Sequence, residues 1–293
     1  MPRSAEPFAW PTLALVLMTH LIWAASLFLP TPLAIACLAA GIALYASLQH
    51  EVIHGHPFRR QALNTALVWP AYMLVVPYAR FRDTHLAHHQ DSVLTDPYDD
   101  PESNYLAPAV WARLPGIARI ILRLNNTLLG RILIGPVVGT TVFLWWEVKR
   151  LSRNEPGIAK GWLAHLPPLC LTLLIVALSP LPFWAYAASV YAALSILRIR
   201  TFLEHRAHEH TASRTVIIED RGILAFLFLN NNFHVVHHMH PDVPWFHLPA
   251  LYRAAPGRYL DRNQGYRYRS YADVFRRYML RAKDPVAHPL SDR

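Results

Sequence analysis

Three short stretches of this chain carry histidines at spacings that suit a metal. His50-Glu51-Val52-Ile53-His54 places two imidazoles at i and i+4, with His56 two residues on. His85-Leu86-Ala87-His88-His89 and, much later, His234-Val235-Val236-His237-His238 share one pattern, HxxHH. On a helix, residues i, i+3 and i+4 lie on one face, so each run offers its rings in one direction. A fourth run, Glu204-His205-Arg206-Ala207-His208-Glu209-His210, follows an apolar stretch directly. Neutral imidazole is a ligand of choice for iron, zinc and copper. A catalytic zinc uses only three protein ligands, so the eight box histidines divide more naturally between two metals with positions left open for oxygen. His20, His165 and His288 stand outside the clusters and are expected to be structural or solvated; His56, His210, His240 and His247 fall off the box spacing. Metal-bound histidine usually donates its other N–H to a carboxylate or carbonyl, which makes Glu51, Asp83, Glu204, Asn232 and Asp242 candidates to orient the rings.

The elements that must carry these boxes are apolar and helical. Of 293 residues, 53% are hydrophobic and 16% charged, well under the roughly 25% charge of an ordinary soluble domain. A mean hydropathy of only +0.18 fits apolar spans joined to substantial polar parts. Residues 8–29 and 32–49 form two uncharged runs separated by Leu29-Pro30-Thr31-Pro32, and residues 161–178 and 181–197 repeat the design around Ser179-Pro180-Leu181-Pro182. A crossing helix needs about 20 apolar residues, and proline stops a helix by removing a donor, so each pair reads as a hairpin. Lys and Arg are absent between Ser4 and Phe58 and between Gly161 and Leu197. Both turns therefore face away from the cytosol, and the boxes face it. The first run also has a weak cleavage-like Ala24-Ala25-Ser26, but it is too long for a signal peptide, and Glu6 precedes it. Residues 63–78, broken by Pro70 and Pro77, and residues 132–146 are short for a crossing and are expected to be interfacial or re-entrant. The expected fold is an all-α integral membrane protein with four transmembrane helices in two hairpins (8–49 and 161–199). Cytosolic box regions (50–131 and 200–293) form a helical cap within one domain. Trp69, Tyr72, Trp145, Trp146 and Tyr186 are candidate walls of an apolar channel.

Two cysteines, Cys37 and Cys170, lie far apart in apolar runs, which excludes a disulfide framework and a thiolate metal site. The net charge of +9 sits outside the spans and points to a membrane surface rather than nucleic acid. The Arg- and Tyr-rich tail from Tyr252 to Lys283 could face anionic headgroups or receive an acidic electron carrier. His50-Glu51-x-x-His54 also satisfies the HExxH pattern of a zinc protease, a reading that leaves six or more ordered histidines without a role. A metal transporter would place its ligands near the bilayer midplane, where the spans hold only His20 and His165.

The boxes resemble those of the membrane-bound fatty acid desaturase and hydroxylase superfamily, over roughly His50 to Arg253. Leu94-Thr95-Asp96-Pro97 and His240-Pro241-Asp242-Val243-Pro244-Trp245 are similar to segments of bacterial members, which implies a bacterial inner membrane with the site facing the cytosol. Arg200-Thr201-Phe202-Leu203-Glu204-His205 is similar to the segment that supplies an additional iron ligand, although His208 competes for that role. The resemblance implies a non-haem di-iron centre on His50, His54, His85, His88, His89, His205, His234, His237 and His238. It also implies O₂ as oxidant and an external electron donor, a ferredoxin or a cytochrome with its reductase. The implied reaction is desaturation of a fatty-acyl chain. The three-residue gap of the first box, Gly55 after it, and Pro244-Trp245 with Leu248-Pro249 are similar to carotenoid ketolases and hydroxylases, so hydroxylation or ketolation of a lipid or carotenoid is the alternative.

Overall fold

The computed structural model describes residues 8–90 and 92–291; Glu6 lies outside them. The helices, in chain order, are α1 (Trp10–Ser26), α2 (Thr31–Ile53), α3 (Gln61–Leu67), α4 (Tyr78–His88), α5 (Pro108–Arg113), α6 (Gly116–Asn125), α7 (Leu128–Leu133), α8 (Gly135–Ser152), α9 (Ile158–Leu178), α10 (Phe183–Thr201), α11 (Ile223–Leu227), α12 (His234–Met239), α13 (Leu248–Ala254), α14 (Pro256–Arg262) and α15 (Tyr271–Tyr278). Among the described residues the strands are β1 (Ile217–Ile218) and β2 (Arg267–Tyr268), a two-residue parallel pair in an otherwise α-helical fold. The chain forms two compact units interleaved in sequence: the first runs to Asp83 and resumes over Val137–Leu197, and the second comprises Thr84–Pro136 and the chain from Arg198 onward.

In the first unit α1 and α2 pack together, joined at Pro30 and Pro32, which cap and start α2. From Leu38 onward α2 is buried almost all round, as expected for a helix that is apolar on every face. Four crossings were expected; two helices, α2 and α9, are long and apolar enough for one. Helix α1 has 17 residues, and α10 ends in Arg198 and Arg200. Of residues 132–146, the first two end α7 and those from Gly135 on lie in α8, an 18-residue helix that is not among the two long and apolar enough to cross. Pro136 sits in its first turn, where a missing donor costs nothing, and Glu147 has buried partners that let the helix run past it.

Residues 63–78 are irregular after α3, and their exposed carbonyls are met by side chains. Tyr45 Oη donates to Pro70 O at 2.8 Å, Tyr186 Oη to Tyr72 O at 2.8 Å, and the His165 ring to Leu74 O at 2.8 Å. His20 Nε2 lies 2.9 Å from Leu67 O and its Nδ1 2.8 Å from Tyr72 Oη. A carbonyl only accepts, so Nε2 carries the proton and Tyr72 donates to Nδ1. Unpaired buried backbone is costly, and these donors are what permit a non-helical segment in this core. His20 and His165 are therefore structural. Tyr72 and Tyr186 belong to the packed core with Trp23, Leu38, Ile42 and Tyr45, whereas Trp69, Trp145 and Trp146 are exposed.

The strongest polar tie in this unit joins α4 to α8. Arg80 Nε and Nη2 meet Glu147 Oε2 and Oε1 at 2.7 and 3.1 Å, and Trp162 Nε1 of α9 donates to Oε2 at 2.9 Å. Both charged side chains are buried. Removing one partner of such a pair strands a buried charge, so Glu147→Ala is expected to destabilise the protein by about 3–5 kcal/mol, read from reversible unfolding in detergent.

In the second unit a core of Ile217, Phe233, Val235, Val236, Leu248, Tyr252 and Tyr259 backs α12. Backbone bonds from Ile218 N to Asn232 O (2.8 Å) and from Val235 N to Val216 O (3.2 Å) fix where α12 begins. The C-terminal segment straps across the loop after α4: Leu106 N bonds Val286 O, and His288 N bonds Leu106 O. His288 is buried, with Nε2 3.3 Å from Thr95 Oγ1, so it too is structural.

Candidate metal centre

The second unit draws six box histidines and His205 into two groups. His88, His205, His234 and His238 bring their ligand nitrogens within 4.8 Å of one another. His88 Nε2 and His234 Nε2 lie 2.8 and 3.0 Å from His205 Nε2. In the other group His85 Nε2 and His237 Nε2 lie 2.9 and 3.2 Å from His89 Nε2. His89 and His238 stack between the groups, with ring centroids 4.4 Å apart.

Helix geometry explains the division. In α4 and the residue after it, the i and i+4 histidines, His85 and His89, go to the three-histidine group, while His88 goes to the four-histidine group. In α12 the allotment is reversed: the pair His234 and His238 joins the four-histidine group and His237 the other. Each HxxHH run thus feeds both groups, because i+3 and i+4 diverge by one residue's rotation, about 100°. In the first unit His50, in the last turn of α2, and His54, its C-cap, meet with centroids 4.9 Å apart.

His205 arrives differently, on the loop after α10. It pairs with Thr215 through an isolated bridge, and Lys283 Nζ donates to its carbonyl. His208, the competitor, pairs with His210 instead: His210 N donates to His208 Nδ1 at 3.1 Å. Neither belongs to a group, and nor do His56, His240 and His247.

Behind the rings stand acceptors. Asp100 Oδ1 takes His88 Nδ1 at 2.8 Å, Glu102 Oε1 takes His85 Nδ1 at 3.2 Å, and Asn231 Oδ1 lies 3.3 Å from His234 Nδ1. Asn231 in turn donates to Glu204, which is held by Arg200 Nε at 2.7 Å. Acceptors at Nδ1 put the proton there and leave Nε2 with its lone pair toward the common space, the tautomer a metal needs. Of the five orienting residues expected from sequence, Glu204 acts through Asn231. Asp83 pairs with Arg80 and Arg82, Asn232 donates to Ile218 O and Asp220 O, and Asp242 is exposed. Glu51 is buried on α2 between the two histidines of its box. Asp100, Glu102 and Asn231 were missed. The acidic string Asp96-Pro97-Tyr98-Asp99-Asp100-Pro101-Glu102 was the available signal for the first two.

The electrostatics match a site awaiting positive charge. Burial opposes a charge on His88, but Glu102 and Asp100 outweigh it and hold its pKa up to about 9. Burial, then the neighbouring imidazoles, push His205 and His234 well below the ordinary histidine range. Burial would raise the Glu102 carboxyl, yet His88 and His85 hold it well below the usual carboxylate range. Buried imidazole nitrogens, with carboxylates behind His85 and His88, suit a cation of borderline softness such as ferrous iron. The donor set therefore fits two non-haem metal ions.

A profile of the family described as fatty acid desaturase matches residues 8–270. The chain belongs to the fatty acid desaturase family. This desaturase-family chain is also 26% identical over 255 residues to a beta-carotene ketolase of Paracoccus sp. (strain N81106 / MBIC 01143), covering 80% of this chain and 86% of the ketolase. The histidine groups described above all fall within the family match, which makes the desaturase-family chain an oxidoreductase.

Proposed function

We propose that this oxidoreductase binds two irons and uses O₂ to desaturate a fatty-acyl chain of a membrane lipid. The observation that carries the reading is the pair of buried imidazole groups, with Nδ1 acceptors behind them, inside a family match that spans most of the chain. His88, His205, His234 and His238 would hold one iron. His85, His89 and His237, with His50 and His54 added by the box resemblance, would hold the other. Two ferrous ions supply what no side chain can, the reduction of O₂ and oxidation of an unactivated C–H bond. The protein's own part is to bury and aim seven imidazoles, with acceptors behind Nδ1 of His85, His88 and His234. Four crossings with the boxes toward the cytosol complete the proposal, as does an external ferredoxin or cytochrome, since this chain has no thiolate cluster motif.

Ketolation or hydroxylation of a carotenoid is the second reading. It is favoured by the Paracoccus ketolase likeness and by the gap and Gly55 of the first box. Incubation with NADPH, a reductase, a small electron carrier, mixed acyl lipids and a carotenoid separates the two by mass spectrometry. An acyl product lighter by two hydrogens is expected; one heavier by an oxygen makes the enzyme a hydroxylase. Oxidation of the carotenoid with untouched acyl chains overturns the acyl reading while leaving the metal centre in place.

A further inference from the structure

Helix α6 has three longitudinal strips. Ile117, Ile120, Ile121 and Leu124 recur at i, i+3, i+4 and i+7, an arc about 100° wide on a helix turning about 100° per residue. These four side chains are 66, 53, 41 and 54% exposed. Ala118, Leu122 and Asn125 form a second strip, turned into the unit, with Asn125 buried. Arg119 and Arg123 form the third. Leu129 and Leu133 on the following α7 are exposed as well.

The charge along α5, α6 and α7 has one sign. Between Ser103 and Trp146 the chain has Arg113, Arg119, Arg123 and Arg131 and no Asp or Glu. Arg131 is buried; Arg119 and Arg123 lie on α6 beside the apolar face, Arg113 ends α5, and Asp284 lines the hollow that Trp111 and Arg123 share. Arg119 Nε is anchored on Leu114 O at 2.9 Å, and the Arg123 guanidinium sits 5.6 Å from the centre of the Trp111 ring. Water-soluble surfaces rarely leave so continuous an apolar strip bare. An apolar face flanked along its own helix by arginine, with a tryptophan alongside, has the chemistry of a helix at the headgroup level of an anionic bilayer. We propose that α6 lies in the plane of a membrane surface, its isoleucines and Leu124 in the acyl boundary and Arg113, Arg119 and Arg123 against anionic phospholipid headgroups. The proposal does not depend on which reaction the metals support.

Nitroxide labels on the full chain test it. With Cys37 and Cys170 replaced by serine, single sites Ile121→Cys and Arg119→Cys are labelled and reconstituted in phosphatidylcholine vesicles containing one third phosphatidylglycerol. Relaxation by oxygen, which concentrates in the acyl region, is compared with relaxation by a water-soluble nickel chelate. The oxygen-to-nickel ratio is expected to be several-fold higher at position 121 than at 119. It should fall at 121 in pure phosphatidylcholine and in the Arg113→Gln/Arg123→Gln variant, with helical circular dichroism unchanged. Equal ratios at the two positions, or a ratio at 121 indifferent to both lipid charge and arginine, overturn the proposal. So does dipolar broadening between labels at 121, which would mean that a second copy covers the face. Ile117→Cys, one turn away on the same strip, must behave as Ile121→Cys does.

Discussion

His205→Ala is expected to abolish O₂-dependent turnover and to lower bound iron from about two per chain toward one, the number a two-metal site loses with one of its ions. His208→Ala, three residues on, should change neither. The contrast rests on geometry: His205 Nε2 lies within 3.0 Å of both His88 Nε2 and His234 Nε2, while His208 is engaged with His210 on an exposed turn. His205 is also the one member of its group held by a loop, so no helix can carry a neighbouring ring into its place. Iron by mass spectrometry, beside oxygen uptake, reads the outcome. Depletion by His208→Ala and not by His205→Ala would reverse the assignment.

Asp100→Asn should cost 10–100-fold in metal affinity or activity, the usual loss when the group behind a ligating histidine is removed. Asp100 accepts three N–H groups: His88 Nδ1 at 2.8 Å and Glu102 N at 2.9 Å on Oδ1, and Thr95 N at 2.8 Å on Oδ2. Asparagine must turn its NH₂ toward one of those sides, setting donor against donor. In either orientation His88 loses the charged carboxylate that holds its proton on Nδ1 and keeps at best a neutral amide oxygen. Asp83→Asn, also close to the second box in sequence, breaks only pairs with Arg80 and Arg82 and is expected to leave metal binding intact. Equilibrium iron titration against a chelator measures both. Equal losses in the two variants would mean that charge near the box matters and the Asp100 bond does not.

Much of the scaffold is local and was therefore readable. Pro30 and Pro32 end one helix and begin the next wherever the chain is placed, and α2 ends at the first box because His50 and His54 close its last turn. The amphipathic face of α6 is equally local, written in Ile117 to Leu124. The length of α8 was not local. Glu147 reads as the charged end of an apolar run, and only Arg80 and Trp162, distant in sequence, make it a buried and satisfied residue. His20 and His165 read as structural or solvated; the carbonyls of Leu67, at the end of α3, and Leu74, on the irregular segment after it, decide for structural.

At the centre itself, residue type and spacing determined the chemistry: imidazoles at i, i+3 and i+4, too many for one metal, with no thiolate among them. Spacing is a property of a single helix, so it could not say which ring serves which ion. That was decided by the packing of α4 against α12, which sends the i, i+4 pair of each helix to opposite groups. The choice of His205 over His208, and of Asp100, Glu102 and Asn231 over nearer carboxylates, was likewise tertiary. A loop's ring and a carboxylate's reach depend on where the backbone is held, here by Thr215, Lys283 and Thr95, and Lys283 lies far from His205 along the chain.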